Sequence, residues 1–142
     1  MSNWRPRNET SEDLQHEAEA SKAIANRFGY TVTKLSEALY HIDWAISKDG
    51  EIRAFGEFKK RKNSIHAYPD LLLSAAKWKI GWDYAELIGV PFIMFVEWQE
   101  GLFYLKAERS CPIRYSVGGN SRGQNGDLEP LVHLKIADFI KV

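Results

Sequence analysis

One cysteine in 142 residues, Cys111, is too few for an internal disulfide. No disulfide framework holds this fold, and the composition is that of a chain kept in a reducing compartment. No apolar run reaches the roughly 20 residues that a membrane-spanning helix needs. The first thirteen residues are polar and charged, unlike a secretion signal. A cytoplasmic protein with no membrane partner is therefore expected. An excess of one charge is missing too: nineteen basic residues balance nineteen acidic ones. Any attraction for nucleic acid must then come from a local patch rather than from net charge. The Gly-Lys-Ser/Thr of a P-loop is absent, and no strand feeds the glycines between 118 and 126 into a helix, which excludes a dinucleotide fingerprint. The histidines, His41 and His66 among them, show no zinc-ligand spacing.

What is present suits one globular domain over residues 1–142. The apolar share is 44%, and five tryptophans supply large packing units. Residues 1–10, including Trp4, lack periodicity and read as a flexible arm. Thr10 or Ser11 can cap a helix that starts with Glu12 and Asp13 and ends at Gly29. Leu14, Glu17, Ser21, Ile24, Ala25 and Phe28 share its inward face. Tyr30 to Lys34 reads as a short strand. Pro69 can open a long helix to about Ile88, with Leu71, Ala75, Trp78, Trp82 and Ala85 on its apolar face. Pro91 to Trp98 is a nearly continuous apolar strand, and Gln99-Glu100-Gly101 turns it into a second, Leu102 to Lys106. Residues 107–130 are loop-rich, Leu131 to Ile136 is a last strand, and the tail from Ala137 packs at an edge. The order is an α/β class with a mixed sheet and extra C-terminal strands.

The chemistry lies between Tyr40 and Lys62. Alternating apolar residues flank a Lys48-Asp49-Gly50 turn, so the segment reads as a hairpin. Asp43 stands among Ile42, Trp44 and Ile46, where an unpaired carboxylate is costly. Glu57 and Lys59 are two residues apart on the second strand and share a face. Two converging carboxylates make a hard-oxygen site for Mg²⁺ or Mn²⁺. With the lysine they supply what metal-assisted phosphodiester hydrolysis needs. The turn decides whether they converge. A two-residue loop pairs Asp43 with Gly56 and turns Glu57 away; a three-residue loop pairs Asp43 with Phe55 and brings Glu57 to the same face. A shared ion requires the second register, or a bulge with the same effect. Glu17 is an accessory acid or a salt-bridge partner. Lys60, Arg61 and Lys62 form a basic cluster able to hold phosphates without reading sequence.

Ile42-Asp43, a hairpin, Glu57-Phe58-Lys59, then a helix and a strand resemble the PD-(D/E)XK nucleases, over roughly Glu12 to Trp98. Ile42 replaces the usual proline. The Tyr68–Trp78 stretch with Gly89-Val90-Pro91 resembles small phage-type members, and the element order resembles Holliday-junction resolvases. The resemblance implies a restriction-endonuclease-like α-β-β-β-α-β core with a mixed sheet flanked by helices. It also implies DNA as partner, with RNA left open, a virus-encoded protein, and a homodimer if junctions are cut symmetrically. Asp43, Glu57 and the Phe58 backbone carbonyl would hold Mg²⁺ or Mn²⁺, Lys59 would orient water, Glu17 would complete the site, and Lys77 would flank it. Two other readings stay open: a nucleic-acid-binding module with a degenerate site, and a protein-interaction domain using Trp4 and the Gly-rich loop.

Overall fold

The computed structural model describes residues 10–107, 114–119 and 128–142. The arm before residue 10, Cys111 and most of the Gly-rich loop lie outside the described residues. Helix α1 (Ser11–Phe28) begins with a capping box in which the Thr10 side chain and the Asp13 backbone and carboxylate bond reciprocally. It ends at Gly29, whose left-handed φ of 73° suits a residue without Cβ. Its buried positions are Glu17, Ala20 and Ile24, whereas Leu14 is exposed. The inward stripe is thus rotated from the one expected, because the small Ala20 sits where the helix meets the sheet.

Strands β1 (Thr31–Lys34), β2 (Trp44–Lys48) and β3 (Glu51–Lys60) form an antiparallel meander, with a one-turn helix α2 (Glu37–Tyr40) between β1 and β2. No periodicity in the sequence marks that helix. Strand β4 (Asp70–Ser74) and helix α3 (Ala75–Ile88) lead to β5 (Phe92–Trp98), which returns parallel to β3. Strand β6 (Gly101–Lys106) pairs with β5. Strands β7 (Arg114–Gly119) and β8 (Leu128–Lys135) form a further hairpin, and β9 (Ile140–Lys141) closes on the β6 edge. The main sheet has the order β1-β2-β3-β5-β6-β9, and a second sheet has the order β4-β8-β7. The α/β architecture with a mixed sheet is the expected restriction-endonuclease-like one.

Two elements differ from the sequence reading. The helix expected from Pro69 begins only at Ala75; residues 70–74 are a strand in register with β8, Leu71 opposite Leu134. Leu71 and Leu73 are buried while Leu72 is 44% exposed. A run of three leucines satisfies either period, and pairing with distant β8 selects the strand. Pro69 instead offers its carbonyl to the Ile136 N–H. In the stretch expected to be loop, Arg114–Gly119 is a strand, and β8 starts at Leu128 rather than Leu131. Pro130 is tolerated there because β4 has already ended at the Ser74–Leu131 pair, leaving one side of β8 unpaired.

The core has two halves, one on each face of the main sheet. Ala20, Ile24, Trp44, Ile46, Ala54 and Phe95 pack under α1. Phe55, Trp78, Phe92, Met94, Val96 and Leu134 pack between the sheet, α3 and the small sheet. Alternation along β3 therefore sends Ala54 toward α1 and Phe55 toward α3. Helix α3 comes so close to β5 that a Cβ on Gly81 would overlap the Phe92 ring.

Candidate active site

The hairpin turn has two residues, Asp49 and Gly50, both at positive φ, with Lys48 facing Glu51. That loop alone would have turned Glu57 away from Asp43. A bulge prevents it: Ser47 faces Ile52 and Ile46 faces Ala54, so Arg53 is an extra residue on β3. Beyond the bulge Trp44 faces Gly56. Continuing one residue outward sets Asp43 across from Glu57, on the α3 face that Phe55 shares. Neither plain register applies; the bulge does what the three-residue loop was expected to do.

Asp43 itself stands just before β2, in a bend over His41–Asp43. His41 adopts φ 57°, an uncommon conformation for a non-glycine residue. The bend lets Ile42 enter the core on the α3 face while Trp44 enters the other. The Asp43 carbonyl accepts from the Leu35 N–H at 2.8 Å, which ties the bend to the end of β1.

Both carboxylates are buried, Asp43 at 1% exposure and Glu57 at 5%. Each accepts a backbone N–H from the opposite chain segment: Phe58 N–H donates to Asp43 Oδ2 at 2.9 Å, and Asp43 N–H donates to Glu57 Oε2 at 3.2 Å. These bonds fix the carboxylates where β2 and β3 part. The N–H and C=O of an extended residue point to the same strand edge. The Phe58 carbonyl therefore faces the side occupied by Asp43. Two carboxylates and one carbonyl suit Mg²⁺, which is bound by one or two acids and keeps several waters. Among the described residues no three histidine, cysteine or acidic side chains converge on one point.

Two lysines complete the constellation. Lys59 follows Glu57 on the same face of β3, half-buried. Burial lowers the pKa of its amine; Arg61 and Lys77 lower it further, against the opposing pull of Glu57 and Asp43. Lys77, in the first turn of α3, places Nζ 3.5 Å from Glu57 Oε1 and 3.4 Å from the His41 carbonyl. It is a half-buried member of the carboxylate cluster. Sequence spacing could not show this, since it depends on where α3 starts.

The remaining candidates separate. Glu17 is buried on α1, against the opposite face of the sheet, and pairs with Lys34 at 2.6 Å. Lys60 also turns to that face and pairs with Glu97, which His16 approaches as well. Lys62 is exposed beyond the end of β3. Arg61 alone of the basic cluster continues the row of Glu57 and Lys59, and it borders a cleft formed with the small sheet.

No curated protein matches this sequence. A family model described as "Phage putative PDDEXK endonuclease" matches residues 3–142. That span takes in the bulged hairpin, both carboxylates, the lysines and the C-terminal strands that the core resemblance left unexplained, and the chain belongs to this phage PDDEXK endonuclease family.

Proposed function

We propose that the chain is a metal-dependent deoxyribonuclease that hydrolyses phosphodiester bonds at the Asp43–Glu57 site. The observation that carries this is the burial of two carboxylates side by side, each pinned by the other segment's N–H, in a setting where uncompensated charge is costly. Asp43, Glu57 and the Phe58 carbonyl would hold Mg²⁺ or Mn²⁺. Such an ion, when bound, polarises a phosphoryl oxygen and acidifies a bound water. Lys59 orients the attacking water and offsets charge that builds on the scissile phosphate. Lys77 balances Glu57 and, through the His41 carbonyl, holds the bend that presents Asp43. Glu17 acts indirectly, by anchoring Lys34 at the sheet edge. Among the described residues no helix is long and apolar enough to cross a membrane. A virus-encoded enzyme acting on DNA in the cytoplasm, and pairing as a homodimer where two strands are cut, fits the family.

The Lys77–Glu57 contact favours one competing reading, a nucleic-acid-binding module whose site is closed by an ion pair. Labelled linear, flapped and four-way DNA incubated with Mg²⁺, Mn²⁺ or EDTA separates the two. The nuclease cuts at least one substrate with metal and none in EDTA, and Glu57→Ala and Lys59→Ala abolish cutting. No cutting of any substrate, or cutting that survives both substitutions, overturns the proposal.

A further inference from the structure

The row of side chains that carries Glu57 and Lys59 runs on to Arg61. At about 3.4 Å per residue, Arg61 lies about 14 Å beyond Glu57 along the strand. A nucleic-acid strand covers that in about four nucleotides at duplex rise, and in fewer when stretched. There the row meets a cleft of about 390 Å³ between the end of β3, the segment before β4, and the small sheet. This volume is in the range of pockets that take small organic groups.

The cleft has the parts of a nucleotide site. Its walls include Trp98, Leu71 and Ile136, and Tyr68 stands at its border, 65% exposed. Among the described residues two guanidiniums, Arg61 and Arg114, border it, with Asp70 as the one acid. Asp70 already has a cation beside it, since Arg114 Nη2 approaches its Oδ2 at 3.7 Å. Arg61 is different. Its one side-chain hydrogen bond among the described residues goes to the Leu72 carbonyl at 3.3 Å, and burial lowers its pKa. A partly desolvated guanidinium without an acid beside it suits a phosphate.

Ser116, His133 and Asp70 also stand in a chain, which invites comparison with a nucleophilic triad. The charge pattern excludes it. Arg114 Nη2 lies 2.9 Å from His133 Nδ1 and can only donate, so Nδ1 accepts. Nε2 then carries the proton and donates to Ser116 Oγ at 2.5 Å, and the imidazole cannot deprotonate the serine. The chain braces Arg114 instead.

We infer that this cleft is a subsite for one unpaired nucleotide of the strand being cut, its base stacked on Tyr68 and its phosphate held by Arg61 and Arg114. The inference rests on the nuclease reading and gives it a substrate class. A paired base cannot reach a cleft, and leaving the stack costs least where the strand is already single. The enzyme is then selective for flaps, gaps and branch points over continuous duplex.

The test is binding of the full chain to fluorescent single-stranded oligonucleotides in EDTA, DNA and RNA in separate arms, read by anisotropy and independent of cleavage. Each oligonucleotide is compared with an otherwise identical one carrying abasic sites. Wild type and Tyr68→Trp bind the base-containing strand about tenfold more tightly than the abasic one. Tyr68→Ala binds both alike, and Arg61→Gln weakens binding of both. Because Tyr68 is exposed, its substitutions leave the unfolding midpoint unchanged. The inference is overturned if no variant distinguishes base from abasic strand, if the strand does not bind, or if a free mononucleotide competes as well as the strand. A wild type that cuts DNA without showing the base preference loses the subsite and keeps the nuclease. One that shows the preference but cuts nothing keeps the subsite and loses the nuclease.

Discussion

At the scale of single residues the site sets function against stability, and Lys59 shows this most plainly. Its amine is desolvated, and the two acids only partly offset that cost. Folded Lys59 releases its proton at lower pH than the unfolded chain does. Stability of the wild type therefore rises as pH climbs through the interval between the lowered folded pKa and the unfolded value near 10.5. Lys59→Met keeps the aliphatic stem and removes the charge. It is expected to unfold at the same or a higher temperature than wild type near neutral pH, an advantage that shrinks toward alkaline pH, while DNA cleavage falls by about 100-fold or more. Thermal melts at pH 7 and pH 10 beside a cleavage assay check both halves. A clear loss of stability at pH 7 would show that Lys59 serves the fold. That Asp43, Glu57 and Lys59 come together was legible in the sequence, because strand alternation and an acid among apolar neighbours are local signals. The placement of Glu17 was not, and that of Lys77 came only from the family resemblance, since both depend on which face of the sheet each helix covers.

At the scale of elements, most boundaries followed from punctuation that acts locally: the Thr10 capping box, and Gly29 and Gly89 in left-handed caps. The exceptions share a cause. Strand β4 was read as helix, and β7 was not read at all, because both exist through pairing with β8, more than fifty residues away from β4 and up to nineteen from β7. The bulge at Arg53 is a third case: the sequence defined what the hairpin had to achieve, but not the device that achieves it. Gly81 tests the packing of α3, the element that delivers Lys77. Alanine there would gain about 1 kcal/mol in helix propensity. The overlap of its methyl with Phe92, a ring at 1% exposure, costs about 1–3 kcal/mol. Gly81→Ala is expected to lower the urea midpoint and to reduce cleavage as α3 shifts. A midpoint at or above that of wild type would contradict the packing.

At the scale of the whole molecule, two half-cores clamp one sheet, and the carboxylate pair lies where β2 and β3 separate under α3. The small sheet adds a wall beyond Arg61 and forms a cleft there with the end of β3. Fold class was readable from element order alone. The cleft was not, because Arg61, Tyr68, Arg114 and His133 come from distant parts of the chain and carry no common spacing. On the proposed function, Asp43 and Glu57 act as one unit in cleaving DNA. Single-turnover cleavage in Mg²⁺ by wild type, Asp43→Asn, Glu57→Gln and the double variant tests it most directly. Each single substitution is expected to slow cleavage by about 100-fold or more, with the double variant hardly slower than either, as for residues that fail together. Losses that multiply in the double variant, or cleavage near the wild-type rate in either single variant, would contradict it.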